Sequence, residues 1–569
     1  MFNQEILPEI DLIKTVFSRR GSYFVFSKEP ATEDLPESIV LKTLHSGGQD
    51  NELLRLEITD GNEVIDYKLE VTASSLTMRV GPSKYLSLCI SEPSVIRLKA
   101  VGVTPLLRFN ILAGDIIHSL KPGWRFIGWQ QQLKLLGFPI QGSLEMIDTQ
   151  SGKSGNGVAV LLNADSSGEA ELAIEEYVSE WETRSYLDSF ENCAVKVHLD
   201  FENYVLGTPT MAKEFEPARR SAAYINWSAM LGISGHITRP ATVMSNSGLS
   251  NVWNWDNFFN AMALSPSQPE MALDHLLVFY DNQAEDGQLP DYITDRFVSY
   301  TRAKPPLQGL TLRWLFEHCQ IFGNKLIAEI YDPLVKSTEW WFANRESFNQ
   351  LPHYYFASES GWDHCSTLKS GEPMITPDLI SFLALQMETL SIFASRLGKP
   401  GESTAWKKRS DDLCSKLIGA LWSGDCFKSI EAVSRKEVVN EHSLLSYLPL
   451  VLGRRLPTDV FDKLVEAVSD EERFLSPYGL VTESMSSPNY NANDNWMGAI
   501  WPPANVLIID GLRRSGQGDL AKKIASRFCE NCAKNGFPDF FNSKTGEPIR
   551  DNSYTWTSSV FQMLAGFYM

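Results

Sequence analysis

Thr376-Pro377-Asp378-Leu379-Ile380-Ser381-Phe382-Leu383-Ala384-Leu385-Gln386-Met387-Glu388-Thr389-Leu390-Ser391-Ile392-Phe393-Ala394-Ser395-Arg396-Leu397-Gly398 reads as one helix with both ends marked. Thr376 stands at the cap position, Pro377 takes the first helical position, where its missing N–H is no loss, and Gly398 supplies the stop. Leu379, Phe382, Leu383, Met387, Leu390 and Phe393 recur at three- and four-residue intervals and make one apolar face. Similar spacing at 271–281, 307–322, 405–421, 442–452, 505–515, 520–534 and 558–567 makes nearly everything after about residue 209 helical. Roughly 360 residues hold about twelve helices of ordinary length with their connections. An (α/α)6 toroid of six hairpins is one such arrangement, and it delivers its loops to a common mouth.

Upstream the period is two. Leu54, Leu56 and Ile58, then Ile65, Tyr67, Leu69 and Val71, flank Asp60-Gly61-Asn62, the signature of a β-hairpin. Runs at 76–80, 95–101 and 195–199 continue the pattern, with turn residues at 151–157. Many short strands joined by turns suggest an antiparallel β-sandwich. With 569 residues the chain exceeds one core of ordinary size. The expected division is a β-sandwich over 1–208 and an all-α (α/α)6-barrel catalytic domain over 209–569.

Hydrophobic residues make up 43% and charged residues 21%, a globular composition. A formal net charge of −19 repels phosphate backbones and anionic lipid, so neither nucleic acid nor membrane is an expected partner. Glu5, Glu9, Asp11 and Lys14 interrupt the first twenty residues, leaving no signal-peptide core, and no window is expected to reach membrane-spanning length. The eight cysteines have no framework spacing, which fits reduced thiols in a cytoplasmic protein. Cys529 and Cys532 share one amphipathic helix and read as packing rather than as a zinc or redox pair.

Three acid-bearing islands carry the chemistry: Trp253-Asn254-Trp255-Asp256-Asn257-Phe258-Phe259, Ser360-Gly361-Trp362-Asp363 and Lys544-Thr545-Gly546-Glu547. Glycosidic cleavage needs one carboxylic acid to protonate the leaving oxygen and one carboxylate to activate water. Asp363, beside Trp362, suits the acid, because partial burial among rings raises a carboxyl pKa. Glu547, in a polar turn, would stay ionised and suits the base. Asp256 stands between Trp255 and Phe258, either desolvated or beside a bound sugar. Trp253, Trp255, Trp362, Trp496, Trp501 and Trp556 cluster in or near these islands, and aromatic faces stack on the C–H faces of sugars. Polar loops holding Asp291 and Gln308 read as hydroxyl binders. Phosphate-loop, Gly-x-Ser-x-Gly and His-Glu-x-x-His motifs are absent from the sequence.

Together these islands resemble the clan of inverting α-glycosidases that holds the trehalases and glycoside hydrolase family 63. Arg239-Pro240-Ala241, Gln288-Leu289-Pro290-Asp291, Pro305-Pro306-Leu307-Gln308 and Trp501-Pro502-Pro503-Ala504-Asn505 extend the likeness over about 222–569. The resemblance implies an (α/α)6 catalytic domain, Asp363 as general acid, Glu547 as general base and Asp256 in the −1 subsite. It places Gln308, Trp501, Trp362 and Asp291 along the pocket. Where family 63 members commonly show Trp-Arg-Gly-Pro, this chain has Trp496-Met497-Gly498-Ala499, and the Pro-Gly-Gly-Arg-Phe of trehalases is missing. Family 63 is therefore the nearer likeness. The leading expectation is an exo-acting inverting α-glycoside hydrolase, foremost an α-glucosidase, acting on a small carbohydrate. A glucosyl- or mannosylglycerate hydrolase is the alternative, and a catalytically silent carbohydrate-binding protein is the alternative of another class. No cofactor or catalytic metal is called for, though the Asn-rich segment 489–495 has oxygen ligands for a structural calcium.

Overall fold

The computed structural model describes residues 10–30, 37–48, 51–60, 63–148, 157–319, 323–550 and 552–569. Two compact units divide the chain: Met1–Leu206 with Ala223–Asn251 and Thr294–Arg296, and Gly207–Ala222 with Val252–Ile293 and Phe297–Met569. This differs from the expected division, because Ala223–Asn251 belongs with the first unit. The Tyr224 hydroxyl donates to the Val16 carbonyl, and Met230–Leu231 pairs with Ala241–Thr242 beside a bridge from Leu231 to Gly21.

The first unit is built from two antiparallel sheets. One runs in the order Phe24–Glu29, Ser38–Thr43, Glu52–Asp60, Thr104–Phe109, Val158–Asn163, Ser143–Asp148. The other runs Ile116–Ser119, Trp124–Gly128, Leu133–Gln141, Glu169–Tyr177, Val95–Val101, Tyr85–Glu92, Leu76–Arg79, Lys68–Val71. Alternate residues point inward, so that Phe24, Leu41, Leu54 and Leu107 of one sheet share a core with Leu88, Leu98, Trp124 and Leu172 of the other.

Two sequence expectations change here. The hairpin expected across 54–71 is only Glu63–Val64 folding back on Thr59 and Asp60. Lys68–Val71 then joins the other sheet. The strand expected at 195–199 is part of the helix Phe190–Leu206, whose buried Phe190, Cys193, Val197, Phe201 and Tyr204 follow helical spacing while Val195 and Leu199 face solvent. The turns expected at Gly61-Asn62 and 151–156 lie outside the described residues.

In the second unit six helical segments close a ring. Asn254–Leu264 packs on Gln308–His318, which packs on Pro377–Arg396, and the chain of contacts continues through Leu444–Arg455, Pro502–Arg514 and Thr555–Phe567 back to Asn254–Leu264. Pro269–Asp281, Asn324–Asn344, Pro400–Leu421, Thr458–Ser469 and Gly518–Asn535 lie behind members of this ring. The fold is thus the (α/α)6 toroid. Its fourth inner segment is a 3-10 helix rather than an α-helix, with Pro449 inside it removing a backbone donor.

Pro377–Arg396 is long and apolar enough to cross a membrane, contrary to the expectation that no segment is, yet 83% of its apolar window is buried inside the fold. Its composition is that of an inner-ring helix. All eight cysteines are buried and unpaired, and Cys529 and Cys532 pack within Gly518–Asn535.

The ring is tight where inner helices cross. A Cβ on Gly309 would lie 2.2 Å from the Gln386 backbone, whereas one on Gly419, near the end of Pro400–Leu421, would meet nothing within 4 Å. Gly309→Ala should therefore lower the unfolding free energy by about 1–3 kcal/mol. Gly419→Ala should raise it by about 0.5–1 kcal/mol. Urea midpoints of the two variants check both signs.

Candidate active site

Trp253 ends a short strand, Val252–Trp253, that pairs with Tyr292–Ile293, which in turn pairs with Val298–Ser299. The helix Asn254–Leu264 starts at once. Its first residue ties down the neighbouring loop, with Asn254 N–H donating to the Asp291 carbonyl at 3.0 Å and Asn254 Nδ2 donating to the Pro290 carbonyl at 2.8 Å. Asp256 therefore sits in the first turn, fully buried, and Asp291 is held next to it. Burial pushes the Asp256 carboxyl up to about 7, with Lys304 opposing and Asp291 adding to the rise. Burial likewise raises Asp291, against Lys304 and Arg302.

Trp501 joins the islands. Its ring centroid lies 5.3 Å from Trp255, 5.0 Å from Trp362, 6.3 Å from Trp496, 5.9 Å from Phe540 and 6.0 Å from Trp556. Gly361 lets Trp255 and the Trp362 segment meet, since its φ is +76° and a Cβ there would lie 2.4 Å from the Trp255 ring. Asp363 follows at the exposed end of this segment, behind the buried Glu359. Glu359 accepts from both terminal nitrogens of Arg345, at 2.8 and 2.9 Å, and from the N–H groups of Ala303 and Tyr355. A carboxylate with four such donors fixes three chain segments at once.

The expected base, Glu547, lies at the surface. Glu547 is exposed on the turn between Phe540–Phe541 and Pro548–Ile549, and its carboxylate accepts from Thr545 of the same turn. Asp539, at the start of that hairpin, is a buried acid next to Phe540, whose ring stacks on Trp501. Burial pushes its carboxyl up to about 8; Arg550 opposes the rise, and the charges of Asp256 and Asp363 add to it. Arg550 Nη1 stands 3.1 Å from Asp539 Oδ2. The signal that would have found it was available, because Asp539 precedes Phe540-Phe541 as Asp256 precedes Phe258-Phe259. Glu483 is buried, with its two oxygens accepting from Ser366 and Ser487.

Phe258 is also placed differently. It is fully buried against Phe279 of the next helix and belongs to the toroid core. Trp253 is half-buried with its ring 4.6 Å from Tyr292, and Gln308 opens the helix Gln308–His318 beside a cavity it shares with Asn254, Lys304, Trp340 and Trp341. Buried polar atoms in this region find no protein hydrogen-bond partner among the described residues: Asp256 Oδ1, Asp291 Oδ1, Asp539 Oδ1 and Gln308 Oε1 as acceptors, and Nε1 of Trp253, Trp496, Trp501 and Trp556 as donors. Buried polar groups are otherwise almost always paired, so a mouth carrying both kinds suits a ligand rich in hydroxyl groups.

Met497 is buried, and its N–H donates to the Asp494 carbonyl. Of the Asn-rich segment, Asn491 Oδ1 accepts from the Asn493 N–H and Asn493 Oδ1 from Asn542. Among the described residues no three His, Cys, Asp or Glu side chains group as metal ligands.

A helical toroid whose mouth gathers carboxylates among tryptophans defines a glycoside hydrolase fold and site, and the comparisons narrow the class. The family model described as the mannosylglycerate hydrolase MGH1-like glycoside hydrolase domain matches residues 250–557, and the chain belongs to that family. A probable mannosyl-oligosaccharide glucosidase of Schizosaccharomyces pombe is 25% identical over 325 residues, covering 51% of this chain and 38% of that protein. Human trehalase is 24% identical over 386 residues, covering 55% and 64%. The chain thus spans less than two thirds of these relatives. The GH63 mannosylglycerate hydrolase of Thermus thermophilus, solved with glucose, superposes with a TM-score of 0.54 at 17% identity, over 61% of this chain and 99% of that one. The likeness is one of fold.

Gly361 carries the junction between two islands, so Gly361→Ala combines an unfavourable φ with a collision. It should cost about 1–3 kcal/mol of stability. It should also displace Asp363, with a loss of up to about 10²-fold in turnover. Denaturant midpoints and kcat on one preparation check the pair of effects.

Proposed function

We propose that this chain is an exo-acting inverting α-glycoside hydrolase in which Asp363 protonates the departing glycosidic oxygen and Asp539 deprotonates the attacking water. The observation that carries this reading is the Trp501 ring, which contacts rings of the three segments that carry Asp256, Asp363 and Asp539; the charges of Asp256 and Asp363 add to the rise of the buried Asp539 carboxyl. Arg550, 3.1 Å from Asp539 Oδ2, favours the ionised form of Asp539 that a base needs. Asp363 lies at the exposed end of its segment, open to a departing group. Asp256, Asp291 and Gln308 accept hydroxyl protons from the sugar, while the indole N–H groups donate to its oxygens. No step calls for a metal or an organic cofactor.

The substrate we propose is a small α-glucoside, cleaved to release one monosaccharide. A glucosyl- or mannosylglycerate is the second reading, favoured by the family match over 250–557 and by a relative of Rubrobacter radiotolerans named mannosylglycerate hydrolase, 22% identical over 208 residues. A cytoplasmic location is part of the proposal, supported by eight buried, unpaired thiols.

A panel of α-linked glucose disaccharides with glucosyl- and mannosylglycerate, followed by NMR of the first product formed, tests the reading. Release of the β-anomer from an α-linked substrate is expected. Release of the α-anomer would reject inversion, and calorimetric sugar binding without release from any member would turn the assignment to a silent binding protein.

A further inference from the structure

Lys304 is a buried cation that the acid–base chemistry above does not use. Its side chain is only 8% exposed, with Nζ 2.9 Å from the Ser358 carbonyl, 3.6 Å from Asp291 Oδ1 and 5.4 Å from the centre of the Trp253 ring. The preceding residue, Ala303, donates its N–H to Glu359 at 3.0 Å. Lys304 is thus bonded to the segment that ends in Asp363 and faces the two acids, Asp256 and Asp291, assigned to the sugar.

We infer that Lys304 is a positioning residue that holds Asp256 and Asp291 in the acceptor form required by the sugar hydroxyls and fastens the Asp363 segment against them. This rests on the proposed glycosidase reading. An ionised carboxylate offers only acceptors, whereas a protonated one has a hydrogen to place. Two buried carboxylates side by side stay ionised only beside a compensating charge. The other charged groups around them are Arg302 and Glu359, which act on Asp291, Arg345, which is paired with Glu359, and Asp539, whose carboxyl is raised by the Asp256 charge. Of these cations, Arg345 is committed to Glu359 and Arg302 is exposed.

Removing the ammonium should raise both acids further. Asp256 is already near 7 when folded, above an unfolded value of 3.8. Its charge therefore opposes folding increasingly as pH rises through that window. Below it the acid is protonated and Lys304 matters little, so the stability difference between wild type and Lys304→Met should open between pH 5 and pH 8. On a hydrolysed substrate, the pH at which KM begins to rise on acidification should move up by about one pH unit or more, with kcat far less affected. Lys304→Arg should restore both.

The experiment is thermal unfolding of wild type, Lys304→Met and Lys304→Arg at pH 5 and pH 8, with KM profiles on the same proteins. A stability gap that widens with pH and closes in Lys304→Arg supports the inference even if no substrate of the panel is cleaved, in which case the glycosidase reading alone fails. A loss of stability equal at both pH values, or a KM profile unmoved in Lys304→Met, overturns it.

Discussion

The site depends on one aromatic ring. Trp501, at the entrance of the inner helix Pro502–Arg514, touches rings from the segments that carry Asp256, Asp363 and Asp539, and also Trp496 and Trp556. Five rings around one indole form mostly tilted and edge-to-face pairs, each worth about 0.5–1.5 kcal/mol beyond its burial. Segments far apart in sequence are thereby brought to one place. Gly361 lets the Trp362 segment lie against the Trp255 ring, and the ring of inner helices keeps the segment ends converging.

Bringing carboxylates together has an electrostatic cost, and the fold offsets it in two ways. Burial lifts Asp256 to about 7, with Asp291 adding to the rise, and Asp539 to about 8, with Asp256 and Asp363 adding to it. Lys304 and Arg550 then decide which members ionise. Glu359 with Arg345 forms a separate, closed pair whose work is mechanical: it binds the Asp363 segment to Ala303 and Tyr355. A site built this way has its acids tuned by neighbours from different segments, as acid–base catalysis near neutral pH requires.

Much of the fold was legible because periodicity is local. The apolar face of 376–398 and the alternation around Leu54 and Leu98 follow directly from packing a helix on a ring and a strand on a core. The failures were local ambiguities. Val195, Val197 and Leu199 alternate for too short a stretch to distinguish a strand from the helix that holds them. The inner segment expected as a helix at 442–452 is a 3-10 helix that contains Pro449. In the site, the rule that an acid in aromatic company is functional led to Asp256 and Asp363 and applies equally to Asp539. The resemblance drew attention to Thr545-Gly546-Glu547 instead. The roles of Glu359 and Lys304 had no sequence signal, since both arise from contacts between loops distant in the chain.

The assignment of Asp539 in place of Glu547 is the claim on which the rest of the chemistry stands. The most direct measurement is kcat for Asp539→Asn and Glu547→Gln, on a glycoside that the wild type hydrolyses, with folding of each variant confirmed by its unfolding midpoint. Asp539→Asn should lose about 10²–10⁴-fold in kcat, the usual worth of a positioned acid–base group, while Glu547→Gln stays close to wild type. A folded Asp539→Asn that keeps near-normal turnover, with Glu547→Gln inactive, would contradict the account.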